Sequence, residues 1–288
     1  MLQLPRDIKR TNWRKTTMIS ITTQRFDLLK SIFSLTNTLN DSCMLKFTKN
    51  HIEIHQYDRA GIRIVNIKIP KEEFIKYEFI PDSLPENSKD EPEEVIKIDT
   101  ESFYKLLNQI TRGLLKISKT TNDSITLTNE IPPNKIISHS LKLFELEEGD
   151  IFKMPKVTYE AEITTFTEEF KNNLDNLIFS KNNFSITITP KNYELFDDKP
   201  KNLITLNSFI KTNAEANIVL NITKPDTKKI TAKYNKELLS DVLNKLPNLS
   251  TRIKISFGDE LPMLIESINM PVKFIFLIAP LSTEEDKK

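Results

Sequence analysis

The side chains able to do chemistry are few in this 288-residue chain, and they are scattered. Its three histidines, His51, His55 and His139, gather no Cys, His or carboxylate cluster in sequence. His51 and His55 flank an Ile-Glu-Ile run, so they read as solvent-facing strand residues rather than metal ligands. Asp58, Glu53, Asp197 and Asp198 are carboxylates that a metal-dependent nuclease would use, yet no spacing brings them together, and Asp197–Asp198 falls in a turn-like LFDDKP. Cys43, the single cysteine, lies between a helix and an apolar run, the place of a small buried hydrophobe. One cysteine excludes an internal disulfide and suggests a reducing compartment. The four glycines form no phosphate-binding loop of either common type. No catalytic residue, metal or cofactor is implied, which leaves binding and assembly as the chemistry to explain.

The elements that position these residues are stated twice. TFTEEFKNNLDNLIFSKNNF (Thr165–Phe184) echoes the stretch Thr22–Phe47, and ELLSDVLNKLPNLSTRIKIS (Glu237–Ser256) echoes SFYKLLNQITRGLLKIS (Ser102–Ser118). Both pairs give a repeat of about 140 residues, the size of one domain. Helical periodicity predicts four amphipathic helices: Phe26–Leu39, Glu101–Arg112, Thr167–Ile178 and Asn235–Leu246. Most of the rest alternates apolar and polar residues, as in HIEIHQY, GIRIVNIKI, SITLTNE, SHSLKLF, NLITL, NIVLNI, RIKISF and KFIFLI. That alternation predicts antiparallel sheets with one buried face, and helices on that face give an α+β layered domain.

The start, residues 1–18, is basic with no apolar signal core, and reads as a flexible arm before a fold that begins near Ile19. Pro81–Glu94 is acidic and Pro-rich, a solvated loop, and Glu145–Pro155 joins the halves. Lys+Arg (41) nearly equals Asp+Glu (40), so net charge steers the chain toward neither nucleic acid nor membrane, and any basic surface must be local. No apolar run reaches transmembrane length. Heavy use of Asn, Lys and Ile fits an AT-rich genome.

The C-terminal ELPMLIESINMPVKFIFLIAPLSTEED, with Pro262, Phe274, Phe276, Leu277, Ile278, Ala279 and Pro280, resembles the ending of the proliferating cell nuclear antigen (PCNA) family of DNA sliding clamps. QYDRAGIRIVNIKI and LKLFELEEGDIFKMP resemble that family's Asp-containing turn with its strand and its interdomain connector. The resemblance runs from Ile19 to Asp286. It implies two tandem clamp domains, 19–144 and 157–281, a connector at 145–156 and a charged tail at 282–288. Antiparallel sheets lie outside, and four helices line the interior of a ring.

The implied function is a non-enzymatic processivity factor for DNA polymerase in replication and repair. It encircles duplex DNA without reading sequence, as a homotrimer placed by a clamp loader. The implied location is the nucleus, or a cytoplasmic viral replication site for a viral protein; no membrane is involved. Lys30, Lys105, Arg112, Lys171, Lys236 and Lys245 on the polar helix faces would make a positive channel, with Asp175 and Asp241 as departures from the family. Client peptides would enter a pocket at Ile62, Ile151, Met154, Pro262, Leu277, Ile278, Ala279 and Pro280. Subunits would join by pairing Ile137, His139 and Leu141 of one chain with Leu203, Ile204 and Leu206 of the next. The alternatives are a monomeric or hetero-oligomeric clamp-fold polymerase accessory, a clamp-derived transcription factor, and the nuclease above.

Overall fold

The computed structural model describes residues 17–82, 91–147, 154–176, 183–189, 203–208, 215–218, 221–222 and 230–281. The first repeat runs β1 (Met18–Thr23), α1 (Phe26–Thr36), β2 (Ser42–Thr48), β3 (His51–Tyr57), β4 (Arg63–Pro70), β5 (Lys76–Ile80), β6 (Glu93–Asp99), α2 (Thr100–Gln109), β7 (Leu114–Lys119), β8 (Ser124–Ile131) and β9 (Lys135–Lys142). The second runs β10 (Ala161–Phe166), α3 (Thr167–Asp175), β11 (Asn183–Thr189), β12 (Leu203–Ser208), β13 (Glu215–Ile218), β14 (Asn221–Ile222), β15 (Ile230–Asn235), α4 (Lys236–Leu243), β16 (Arg252–Phe257), β17 (Met263–Ser267) and β18 (Lys273–Ile278). The two orders agree element for element, so the repeat read from sequence is a repeat of topology.

Each repeat builds a five-stranded and a four-stranded antiparallel sheet. In the first, the order β5-β1-β7-β8-β9 stands alone, as does β13-β12-β11-β15 in the second. The remaining two fuse into one nine-stranded sheet, β14-β10-β16-β17-β18-β4-β3-β2-β6. The fusion is the pairing of β18 with β4, from Lys273 opposite Lys68 to Ile278 opposite Arg63.

Alternation explains the layers. Ile52, Ile54 and Gln56 of β3, and Val65, Ile67 and Ile69 of β4, point to one buried face, while His51, Glu53, His55 and Tyr57 point to the other. The helices cover the buried face. Phe33 of α1 meets Phe103 of α2 with ring centroids 4.4 Å apart, an aromatic contact inside the core. Two helix starts are set by side-chain caps. Asp99 accepts from the Ser102 N–H at 2.6 Å, and Asn235 accepts from Leu238 N–H at 3.0 Å. The two caps occupy the same place in the two repeats, and each satisfies an N–H that the first turn leaves open.

The structure adds strands that the sequence pattern hides. β1, β5 and β6 are short, and β6 begins inside the segment read as an acidic loop. NIVLNI, read as one strand, is divided into β13 and β14. Residues 83–90 of that loop, 148–153 of the connector, the arm through residue 16 and the tail from 282 lie outside the described residues, as do Asp197 and Asp198.

Candidate functional site

The polar helix faces hold the lysines read from sequence, but in company. Lys30 lies 3.8 Å from Asp27 and 5.2 Å from the centre of the Phe26 ring. Lys105 pairs with Glu101 at 2.6 Å, and Lys171 with Asp175 at 3.7 Å, both one helical turn apart. Burial lowers the Lys236 pKa, against a smaller opposing pull from Asp175. Arg112 is exposed just past the end of α2. The basic residues of α1, α2 and their flanks (Arg25, Lys30, Lys105, Arg112) outnumber the acids (Asp27, Asp99, Glu101). Those of α3, α4 and their flanks (Lys171, Lys236, Lys245) are outnumbered by Glu168, Glu169, Asp175, Glu237 and Asp241. The helices alone therefore do not make the uniformly positive wall that six basic residues suggest; the excess lies on the first repeat.

Tertiary structure concentrates one part of that face. Tyr104 of α2 forms hydrogen bonds with Ser34 of α1 and with Asn108, and these lower its phenol pKa against desolvation. Lys245 and Lys30 add smaller contributions in the same direction. One lysine from each repeat thus flanks one tyrosine hydroxyl, where α1 packs against α2 and the 3-10 turn Leu246–Asn248. Sequence reading missed Tyr104. Its one signal was a polar hydroxyl on a helix otherwise divided into apolar and charged sides.

The opposite face is organised around Asp58. Its Oδ1 accepts the N–H groups of Ile62 at 2.8 Å and Arg63 at 3.2 Å, across a turn in which Gly61 takes φ +68°. Its Oδ2 accepts from Arg63 Nε at 2.9 Å. Arg63 Nη1 then reaches across the β4–β18 seam to Asp241 Oδ2 at 3.3 Å and the Leu238 carbonyl at 3.4 Å. Asp58 is committed to Arg63, which removes it as a nuclease ligand. Asp241 is the second carboxylate of a buried guanidinium, which accounts for an acid on a helix expected to be basic.

The turn presents Ile62, 37% exposed, and its carbonyl accepts the Ala279 N–H at 2.9 Å. Leu277 lies opposite Ile64 and Leu264 in register, on the sheet face away from the helices. Pro262, Ala279, Pro280 and Met154 are half-buried, and Ile151 lies outside the described residues. Ile278 is a correction. It is wholly buried with Phe274 and Phe276 in the core, because strand alternation turns it toward the helices. Ile64 and Leu264 take its place as apolar residues of the outer face; their opposition to Leu277 is fixed only by sheet register.

The remaining chemistry is structural. Glu53 accepts from His51 Nε2 at 2.9 Å and His55 Nε2 at 3.1 Å, and these partners hold its carboxyl down at about 2. Burial is the first cause that lowers the His51 pKa, with Lys68 adding to it. Cys43 is buried, and desolvation pushes its thiol up to about 12. Among the described residues no group of three His, Cys, Asp or Glu side chains is placed to hold a metal ion.

The edge strands decide assembly. β9 pairs with β8 on one side and with no described strand on the other; Ile137 and Leu141 are half-buried and His139 is exposed. The expected partners Leu203, Ile204 and Leu206 are corrected. They lie on β12, which is paired on both sides, with β11 and with β13. Among the described strands the edges of that sheet are β13 and β15, and β13 is the counterpart of β4. NLITL was expected there from the family resemblance; its own alternation does not tell an edge strand from an interior one.

Two repeats, each with two helices backed by antiparallel sheet, define the class of fold found in sliding clamps. PCNA from Thermococcus kodakaraensis superposes with a TM-score of 0.73 at 16% identity, over 91% of this chain and 100% of that one. PCNA from Entamoeba histolytica gives 0.72 at 16% identity, over 92% and 99%. In sequence, the chain is 23% identical over 261 residues to the DNA polymerase sliding clamp of Thermococcus onnurineus (strain NA1), covering 86% of this chain and 92% of that protein. It is 22% identical over the same span to DNA polymerase sliding clamp 1 of Thermococcus kodakarensis. No family model matches the chain. Fold likeness over nearly the whole length and sequence likeness over most of it make the chain similar to the PCNA sliding clamps.

Proposed function

We propose that this protein is a non-enzymatic DNA polymerase processivity factor that closes as a homotrimer around duplex DNA and tethers replication and repair enzymes. The observation that carries it is the seam. Within the chain, the five-stranded sheet of one repeat joins the four-stranded sheet of the other through β18 and β4. Among the described strands the counterparts of β18 and β4, namely β9 and β13, each end a sheet. Pairing β9 of one copy with β13 of the next repeats the internal seam between copies, and three chains of two repeats close the ring. An open β edge needs such a partner or a cover. The curated relatives' names supply the polymerase connection.

In this reading the two clamp domains span 19–144 and 157–281. Lys30, Lys245 and Tyr104, with Lys105, Arg112, Lys171 and Lys236, face the duplex, and topology rather than many phosphate contacts keeps the ring on it. Tight phosphate contacts would impede sliding. Client peptides dock on the outer face at Ile62, Ile64, Leu277, Pro262, Ala279 and Pro280, where an apolar patch beside a connector suits aromatic anchors. No helix among the described residues is long and apolar enough to cross a membrane, and the proposed role would be exercised where DNA is replicated.

Sedimentation decides the assembly. The purified protein should run at about three times the 33.4 kDa chain mass; a monomer at micromolar concentration would favour the monomeric accessory instead. The protein should also stay on closed circular DNA and be lost when the circle is cut, since a ring slides off an end.

A further inference from the structure

α1 and α3 are the same helix in the two repeats, and their exposed faces differ in charge. α1 buries Leu29 and Phe33 where α3 buries Phe170 and Leu174. That correspondence sets Lys30 against Lys171 and Asp27 against Glu168, the same charges in both repeats. It also sets Leu28 against Glu169 and Ser34 against Asp175, so α3 carries two carboxylates that α1 lacks. Glu168, Glu169 and Asp175 are exposed, whereas Lys171 is half-buried and lies 3.7 Å from Asp175. We propose that α3 is a repulsive sector of the inner wall: its carboxylates hold the phosphates of duplex DNA off the second repeat, so that the duplex leans on α1, α2 and Lys245. This inference rests on the ring around DNA proposed above.

Helix stability accounts for only part of this pattern. Glu168 and Glu169 stand in the first turn, where acids suit the helix dipole, and Glu169 also accepts from Thr165 Oγ1 at 3.1 Å. Asp175 is the last residue of α3, where the dipole disfavours an acid. Its contact with Lys171 is open to water, and such pairs contribute little to stability. Asp175 also acts on Lys236 of α4, favouring its charged form against burial. One carboxylate thus answers two of the three lysines that the second repeat brings to the wall. Arg252, at the start of α3, is turned to the Phe166 ring, 5.3 Å from its centre.

The other acids of the helix layer are engaged elsewhere or common to both repeats. Asp99 caps α2, Glu101 bonds Lys105 at 2.6 Å, and Asp241 of α4 is held by Arg63 at 3.3 Å. Glu237 stands where α2 has Glu101, so it does not distinguish the repeats. In the first repeat the place of Asp175 belongs to Ser34, which bonds Tyr104, and Lys30 and Lys245 both favour the ionised form of that hydroxyl. Arg112 is exposed past the end of α2. Attraction is therefore gathered on one part of the wall and repulsion on another. A wall that attracted phosphate everywhere would bind tightly and slide poorly. The carboxylates are solvent-exposed, so their reach is about 10 Å at 0.1 M salt and grows as salt is lowered.

The test combines Glu168→Gln, Glu169→Gln and Asp175→Asn in the full chain. A control replaces Glu78, Glu93 and Glu130 by Gln, which adds the same charge on sheet faces turned away from the helices. Sedimentation first compares the assembly of each variant with the wild type, and fluorescence anisotropy then reads affinity for a linear duplex at about 50 mM salt. The α3 variant should bind about tenfold tighter than the wild type, and the control less than about twofold tighter. An equal gain in both variants overturns the sector, because charge anywhere on the chain would then do the same. An unchanged affinity in the α3 variant also overturns it, while leaving the ring intact. Where the triple variant does not assemble, Asp175→Asn alone, which relieves the helix dipole, should still tighten binding by about twofold, and no gain there overturns the sector. A wild type that stays monomeric with and without DNA overturns the ring reading and the sector with it.

Discussion

The β4–β18 seam and the open edge of β9 are one structural position in two copies of a design, and they are furnished differently. The seam inside the chain has Phe274, Phe276 and Ile278 in its core, and the Asp58–Arg63–Asp241 group ties it from one sheet face to the helix layer. At the edge the matching residues are Ile137, His139 and Leu141, and the place of Asp241 on the helix is taken by Lys105, since Asp99 and Asn235 cap the two helices at equivalent positions. An intrachain seam has no reason to open, so apolar area and a buried ion pair can be spent on it. The residues of the open edge are smaller and more polar, so the proposed seam between copies would lean more on its backbone hydrogen bonds and open more readily.

The comparison breaks first at the ion pair. Arg63→Ala leaves Asp58 buried without its partner, and stability to urea should fall by about 3–5 kcal/mol, the usual cost of removing one member of a buried pair. A loss below 1 kcal/mol would mean that the internal seam does not depend on this group. Because Arg63 pairs with Asp58, whose carboxylate holds the Ile62 turn, Ile62→Asp is the cleaner probe of the proposed client surface. That exposed position should tolerate the charge and lose peptide affinity in calorimetry at least tenfold.

By the internal repeat, Phe274 opposite Ile67 becomes Ile137 opposite Ala216 in the proposed seam between copies, and Ser138 falls opposite Glu215. That register is sharpened by cross-linking. Ser138→Cys with Glu215→Cys should give an oxidised ladder of dimers and trimers on a denaturing gel. Ser138→Cys with Ala216→Cys should not, since a one-residue slip turns the partner to the other face. Native Cys43, buried with its thiol pKa raised by desolvation, should stay out of the reaction.

The helix face should give a smaller effect. Lys105, Arg112 and Lys245 replaced together by Ala should flatten the dependence of log affinity for DNA on log salt by up to about 3, if all three meet phosphates. An unchanged slope would separate these side chains from the duplex. The smallest effect concerns Glu53. Its carboxyl is held down chiefly by His55, so its contribution is complete above the ordinary carboxylate range and is lost as pH falls from about 4.5 to about 2. His51, held low by burial, acts in the same direction at higher pH, since folding disfavours its charged form. Glu53→Gln should make acid unfolding less steep in that window, as followed by circular dichroism.

Much of this molecule is written locally. The 3.6-residue period of Phe103, Leu107 and Ile110, the alternation in HIEIHQY and the recurrence of helix and strand about 140 residues apart fix the elements, their apolar faces and their duplication, because each depends on neighbours within a few turns. The helical lysines and the apolar C-terminal strand were legible for the same reason. Tertiary structure decided whatever depends on which strand lies beside which. That Ile278 faces the core while Leu277 meets Ile64, that β13 rather than β12 is an edge, that Arg63 finds Asp241 from 178 residues away, and that Lys30 and Lys245 share Tyr104 all follow from sheet order and register. Those are set by long-range pairing, and a periodic pattern is the same whichever neighbour completes it.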